Sequence, residues 1–262
     1  MTADDDHYIN VNGLEMHYID KGNGPPLVLL HGGIATARFQ WGPHIPIFSK
    51  SFRVIAPDCR GQGKTNIPEG KFGYSLMAED IVGLIEEIGL EKPFVCGWSD
   101  GGQIALEIGI RHPEIARALV AGGVLAEISE YYIEMMRSMG VNGPGDVDLE
   151  KFGMKYPEFQ AALSEIHSPV YGPDYWKELL VNISGMWMNP KEFPGNRIKK
   201  ITTPTLVLQA DRDEAISLEE AIRIYRSIPS AELAVVPGAD HGGVISKPEV
   251  FCFVITEFLK RY

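Results

Sequence analysis

The chain alternates between short continuous apolar runs and longer stretches with helical periodicity. Apolar runs of four or five residues occur at 26–30, 52–56, 94–97, 118–121, 204–208 and 232–236. Such runs are typical of strands buried on both faces of a parallel sheet. Helical spacing of apolar residues occupies 74–90, 103–111, 218–227 and 248–261. Strand and helix therefore take turns, which predicts an α/β fold built around a mostly parallel sheet.

Two further strands are predicted ahead of the first apolar run. Residues 7–11 and 16–20 alternate in polarity, and Asn12-Gly13 between them is a strong hairpin signal. With this hairpin the predicted sheet has eight strands flanked by helices, and residues 118–121 form the sixth of them.

The alternation stops between Val124 and Asn196. Helical periodicity continues at 127–139 and 175–186, but no convincing apolar strand is present, and six of the nine methionines lie here. Two interpretations remain open: a small helical core, or a lid whose thioether and aromatic side chains line an apolar pocket. The sequence thus predicts a core at 1–123 and 197–262, with a helical cap at 124–196 inserted after strand six.

Composition narrows the class of protein. The 262 residues are 45% hydrophobic and 23% charged, which is sufficient for a full core without disulfide or metal cross-links. A formal net charge of −11 argues against a nucleic-acid partner. Three widely spaced cysteines indicate neither a disulfide framework nor the ligand spacing of a metal-binding motif. Without a signal peptide or an apolar run of about 18 residues, we expect a cytoplasmic protein with no membrane partner.

The clearest chemical signal is the segment 97–102, which reads Gly-Trp-Ser-Asp-Gly-Gly. It follows one predicted strand and precedes a helix, which is the context of a nucleophile elbow. In such a turn the hydroxyl of Ser99 stands above the sheet. The tight backbone leaves no room for side chains at Gly97 and Gly101.

A serine nucleophile needs a base and an acid that orients the base. In this fold they are expected after the last two strands. Asp211 and Asp213 follow the strand at 204–208, and Asp240 and His241 follow the strand at 232–236. The order serine, acid, histidine along the chain is that of a known catalytic triad.

Taken together, these motifs resemble the α/β-hydrolase superfamily over essentially the whole chain. The matching segments are 31–33 (His-Gly-Gly), 58–63, 97–102, 210–213 and 238–241. The resemblance implies Ser99 as nucleophile, His241 as general base and acid, and Asp213 as the acid that orients it, with Asp211 second. It also implies an oxyanion hole formed by the backbone N–H groups of Gly33 and Asp100.

Within the superfamily, segments 97–102 and 170–176 resemble valacyclovir hydrolase (biphenyl hydrolase-like) proteins and their bacterial relatives. That resemblance implies that Asp100 receives a substrate amino group. The simpler interpretation is an acid at a helix N-terminus, stabilised by the helix dipole. The candidate substrate contacts are Trp98, Asp100, Tyr131, Met135 and Trp187.

The predicted function is hydrolysis of small to medium carboxylic esters or lactones through an acyl-enzyme. Carbon–carbon bond cleavage of the meta-cleavage type, cofactor-free perhydrolysis and a non-catalytic receptor on the same fold remain alternatives. Dehalogenase and epoxide hydrolase chemistry is disfavoured because it needs a carboxylate where this chain has Ser99. We expect a small-molecule substrate, no cofactor and no metal, and the sequence leaves the oligomeric state open.

Overall fold

A computed structural model describes residues 5–67 and 71–262 and contains an eight-stranded sheet. Its strands are β1 (Asp6–Val11), β2 (Leu14–Lys21), β3 (Pro26–Leu30), β4 (Arg53–Pro57), β5 (Phe94–Trp98), β6 (Ala118–Gly122), β9 (Thr205–Ala210) and β10 (Ala231–Val236), while β7 (Val141–Gly143) and β8 (Asp146–Val147) form a separate hairpin. The order in the sheet is β1-β2-β4-β3-β5-β6-β9-β10. Only the β1–β2 and β2–β4 pairs of this sheet are antiparallel. The predicted mostly parallel α/β sheet is confirmed.

Helices cover both faces of the sheet. Those outside the region between β6 and β9 are α1 (Ala37–Trp41), α2 (Ile45–Phe48), α3 (Tyr74–Ile88), α4 (Asp100–Arg111), α10 (Leu218–Ser227), α11 (Gly243–Ser246) and α12 (Pro248–Leu259). Buried side chains of α3, α4 and α10 pack on one face, and those of α1, α2 and α12 pack on the other. The four longer helices were predicted; α1, α2 and α11 are too short for periodicity to reveal.

The central strands supply side chains to both cores, which explains their continuous apolar sequences. In β3, Val28 and Leu30 join one core, while Leu27 and Leu29 join the other. Successive side chains of a strand point to opposite faces, so a strand covered on both sides must be apolar throughout. The carboxyl ends of these parallel strands all reach one edge of the sheet, and the candidate catalytic loops leave from that edge.

The region between β6 and β9 is mainly helical. Besides the β7–β8 hairpin it contains α5 (Glu130–Ser138), α6 (Leu149–Lys155), α7 (Pro157–Ile166), α8 (Ser168–Tyr171) and α9 (Tyr175–Trp187). The hairpin corrects our expectation of no strand here, because two or three residues are too few to show alternation. We refer to residues 124–196 as the insert. Their buried side chains join the core over α3 and α4, so the division into core and cap stays a prediction.

Across the described residues, no helix has both the length and the apolar character needed to span a membrane.

Candidate active site

Ser99 lies at a sharp turn between β5 and α4. Its backbone has φ 57 and ψ −123, a conformation that costs on the order of 1–3 kcal/mol and persists only when neighbours enforce it. The Ser99 N–H donates to the carbonyl of Gly122 at 2.8 Å, at the end of β6. A Cβ added at Gly97 would collide with the backbone of Gly101, as expected for a nucleophile elbow.

His241 and Asp213 come together at the same edge of the sheet. Asp213 Oδ2 accepts a hydrogen bond from His241 Nδ1 at 2.8 Å. The other oxygen, Oδ1, accepts from the backbone N–H groups of Ala215 and Ile216, both at 2.9 Å. The carboxylate is therefore held by its own loop while it orients the imidazole. Asp211, the second candidate, instead accepts a hydrogen bond from the N–H of Ala239 at 3.2 Å, which connects it to the loop before His241.

The electrostatic surroundings of His241 favour its protonated form. Burial lowers the pKa of His241, but the charge and hydrogen bond of Asp213, with contributions from Glu214 and Asp100, outweigh burial and raise it above 6.5. The ring lies against the end of β6, since a Cβ added at Gly123 would be 3.2 Å from His241 Cε1. A histidine so placed accepts a proton readily and is stabilised once it holds one.

Trp98 lies in the core under the loop that contains His241 and binds that loop through a hydrogen bond. Its indole N–H donates to the carbonyl oxygen of His241 at 3.1 Å, and its ring packs edge-on against Phe251 at 5.3 Å. Only 2% of the residue is exposed. The alternation along β5 directs its ring into the core beneath the site, and its contact with substrate stays a prediction.

The loop after β3 is arranged to offer an N–H group beside Ser99. The carbonyl of Gly32 accepts from His31 Nδ1 at 2.7 Å, and the N–H of Gly32 donates to Gln40 Oε1 at 2.8 Å. Because the Gly32–Gly33 peptide is trans, the N–H of Gly33 points away from that carbonyl. Among the described residues, this N–H has no protein acceptor.

The second predicted oxyanion donor is the N–H of Asp100, the first residue of α4. The first N–H groups of a helix have no partner within the helix and carry its positive dipole end. The two donor residues are neighbours, since a Cβ added at Gly33 would collide with the Asp100 carboxylate and the Trp187 ring. The structure thus brings Gly33 and Asp100 together beside Ser99.

The Asp100 side chain is a buried carboxylate at the centre of this site. Its Oδ1 accepts from the Tyr74 hydroxyl at 2.8 Å, and both oxygens accept from the Trp187 indole N–H at 2.9 Å. Burial raises the pKa of Asp100 to about 6, against the opposing effects of these hydrogen bonds and of the nearby His241. Asp100 therefore changes charge within the physiological pH range.

The remaining predicted substrate contacts lie in the insert. Trp187 is 8% exposed and binds Asp100, and Met135 is half-buried and packs on the core. Tyr131 is 47% exposed, and its hydroxyl donates to the carbonyl of Glu214 at 2.8 Å, next to Asp213. Trp187 and Tyr131 thus connect the insert to the site.

Sequence reasoning missed Tyr74, Gln40 and His167 as components of the site. The sequence places Tyr74 only at the start of the helical stretch 74–90, and it gives no signal that singles out Gln40 or His167. No local motif marks these residues: Gln40 binds Gly32 from eight residues away, whereas Tyr74 and His167 bind Asp100 and Ile34 from 26 and 133 residues away. Within residues 5–67 and 71–262, no three potential metal ligands of the His, Cys, Asp or Glu type converge.

Comparison with known proteins agrees with this geometry. A model of the alpha/beta hydrolase family matches residues 27–252. The 2-hydroxy-6-oxo-6-(2'-aminophenyl)hexa-2,4-dienoic acid hydrolase of Metapseudomonas resinovorans is 27% identical over 266 residues, which cover 98% of this chain and 91% of that protein.

Two solved structures share the fold. A meta-cleavage product hydrolase from Pseudomonas fluorescens superposes with a TM-score of 0.78 at 23% identity, over 97% of each chain. An enol-lactonase from Burkholderia xenovorans superposes with a TM-score of 0.74 at 22% identity, over 97% of this chain and 100% of the lactonase.

Proposed function

Because this chain belongs to the α/β hydrolase family, and is a hydrolase, we propose that it cleaves small to medium carboxylic esters or lactones through an acyl-enzyme. The observation that carries this proposal is the hydrogen-bonded pair of His241 and Asp213 beside the strained elbow of Ser99. The finer resemblance to valacyclovir hydrolase is only approximate, since the relatives named above are a dienoic acid hydrolase, a meta-cleavage product hydrolase and an enol-lactonase.

In the proposed reaction, His241 Nε2 takes the proton of the Ser99 hydroxyl as the oxygen attacks the substrate carbonyl. The Nδ1–H stays bonded to Asp213, which stabilises the imidazolium. The carbonyl oxygen becomes an oxyanion that accepts from the N–H groups of Gly33 and Asp100; each donor of this kind is worth roughly 10²–10³ in rate. His241 then protonates the leaving alcohol, and water releases the acid by the same steps.

The charge of Asp100 favours an acyl group without a carboxylate of its own. Above pH 6 this buried side chain is mostly ionised, and it lies beside the proposed oxyanion hole. A second carboxylate there would be repelled in a low-dielectric site unless a cation neutralised it. The buried guanidinium of Arg60 is not available to neutralise a second carboxylate, because it already binds both oxygens of Asp80, at 2.6 and 2.7 Å. This repulsion is our reason for proposing neutral esters and lactones ahead of dienoates as substrates.

Carbon–carbon hydrolysis is the second candidate, and it is supported by the similarity to the dienoic acid hydrolase of Metapseudomonas resinovorans. A 2-hydroxy-6-oxodienoate would place its ketone carbon next to Ser99. Rapid loss of the absorbance of such a dienoate, with weak ester hydrolysis, would favour this candidate over the first.

The test is hydrolysis of p-nitrophenyl acetate, butyrate and octanoate by the wild type and by Ser99→Ala. We expect acetate and butyrate to be cleaved and activity to vanish in the variant. Folding of the variant is checked by circular dichroism, and Ser138→Ala, in an exposed serine of α5, serves as the matched control. Activity that persists in Ser99→Ala would refute the assignment. A folded wild type that neither hydrolyses esters nor reacts with a fluorophosphonate probe would favour the receptor alternative.

A further inference from the structure

His167 is a buried histidine that joins the insert to two loops of the core. It lies between α7 and α8 and is 0% exposed. Its Nδ1 accepts a hydrogen bond from the N–H of Gly63 at 2.9 Å. Its Nε2 contacts the carbonyl oxygen of Ile34 at 3.0 Å, next to the proposed oxyanion donor Gly33.

These two partners determine the protonation of the imidazole. A backbone N–H can only donate, so Nδ1 carries no proton; a carbonyl can only accept, so Nε2 carries one. His167 is therefore the neutral Nε2–H tautomer. Its surroundings agree, since burial and the neighbouring His31 lower its pKa, whereas the bond to Ile34 and the charge of Asp58 have the opposite, smaller effect. The ring of Tyr175 packs edge-on against it at 6.2 Å.

Ile34 has a strained backbone that requires external support. Residues 32–35 form a turn in which the N–H of Ala35 reaches the carbonyl of Gly32 at 3.4 Å. The third residue of this turn, Ile34, has φ 52, a region where glycine or asparagine is the usual occupant and a β-branched residue is an outlier. Strain of this kind persists only where contacts over-determine the conformation.

Side chains hold the turn at both ends of Gly33. On one side, His31 and Gln40 bind the carbonyl and the N–H of Gly32. On the other side, His167 binds the carbonyl of Ile34. The first two anchors come from the core, and the third comes from the insert, 133 residues away in sequence.

We propose that His167 is a positioning residue for the oxyanion hole, which acts by fixing the Ile34 carbonyl and through it the direction of the Gly33 N–H. This inference rests on the proposed serine hydrolase function. Without the imidazole, the strained Ile34 relaxes and the Gly33 donor leaves the oxyanion position. A displacement of about 1 Å in a catalytic group costs on the order of 10²-fold in rate.

The same stretch of the insert provides a matched control. The hydroxyl of Tyr171 donates to the carbonyl of Thr65 at 2.6 Å. This contact also ties the insert to the loop that contains Gly63, but Tyr171 has no hydrogen bond to the turn at 32–35. Tyr171→Phe therefore weakens the attachment of the insert without releasing the turn.

The experiment compares His167→Leu, His167→Gln and Tyr171→Phe in p-nitrophenyl butyrate hydrolysis and in inhibition by a trifluoromethyl ketone. That inhibitor forms an oxyanion with the serine. For His167→Leu we expect kcat to fall roughly 10²-fold with little change in KM, and the inhibition constant to rise in proportion. Gln offers one acceptor and one donor, so His167→Gln should recover most of the lost kcat. Tyr171→Phe should lower thermal stability and leave kcat near the wild-type value.

Hydrogen exchange separates this inference from the proposed function. The backbone amides of residues 31–36 should exchange faster in His167→Leu than in Tyr171→Phe, whether or not the protein hydrolyses esters. Unchanged exchange in this segment would overturn the inference even in an active enzyme. An equal loss of kcat in the Leu, Gln and Phe variants, without a rise in the inhibition constant, would also overturn it and leave His167 a packing residue.

Discussion

Asp100 should destabilise the folded protein above pH 6, and Asp100→Asn should remove that cost. Burial raises the pKa of this carboxyl from 3.8 to about 6. At about 1.4 kcal/mol per pH unit, the difference amounts to about 3 kcal/mol of folding free energy. Because the folded-state pKa is the higher one, stability is fully present below pH 3.8 and declines as the pH rises towards 6. Above pH 6 the folded protein is destabilised by the full amount of about 3 kcal/mol.

The amide that Asp100→Asn introduces carries no charge, so the variant avoids this cost. The substitution also replaces one acceptor oxygen that receives the Trp187 N–H with an NH₂ group, which costs roughly 1 kcal/mol. We therefore expect Asp100→Asn to be more stable than the wild type at pH 8 by about 2 kcal/mol. About half of the wild-type cost, about 1.5 kcal/mol, is already present at pH 5, so the advantage of the variant there should shrink to about 0.5 kcal/mol.

The assay is urea denaturation of both proteins at pH 5 and pH 8. Asp146→Asn, at an exposed position in β8, is the control for loss of one negative charge, and its effect should stay within about 0.5 kcal/mol. A variant that is less stable than the wild type at pH 8, or whose advantage is equal at both pH values, would refute the reasoning. The ionised Asp100 would then be fully compensated by Tyr74 and Trp187.

Three further predictions concern other groups. Asp213→Asn should lower kcat by roughly 10⁴, because an amide favours the wrong tautomer of His241; Asp211→Asn should not, and similar losses in both variants would contradict the assignment. In a pH profile, kcat/KM should fall on acidification with a midpoint above 6.5, since Asp213 stabilises protonated His241; a midpoint well below 6.5 would contradict this. Arg60→Met should lower the free energy of unfolding, measured by urea denaturation, by about 3–5 kcal/mol, because it removes the cation that pairs with buried Asp80. Arg60→Met combined with Asp80→Leu should recover most of this loss, and a loss under about 1 kcal/mol in the single variant would count against the pair.

Local patterns in the sequence were sufficient to predict the sheet and the loops that carry the candidate catalytic residues. Continuous apolar runs identified the central strands, because each is covered on both faces. The glycine spacing around Ser99 identified the elbow, because no other residue fits where Gly97 meets Gly101. The positions of Asp213 and His241 after the last two strands follow from the same alternation, since parallel strands end at one edge.

Tertiary structure alone decided which side chains meet at that edge. Asp213 and Asp211 are two residues apart and chemically identical, and only the path of their loop gives His241 to the first. The indole of Trp98 turned into the core, and Trp187 reached Asp100 across 87 residues. Periodicity reports how each segment is buried, whereas a hydrogen bond between distant loops depends on where the packed elements place them. For that reason no sequence motif marks His167, and only the packing of the insert against the core brings it to Ile34 and Gly63.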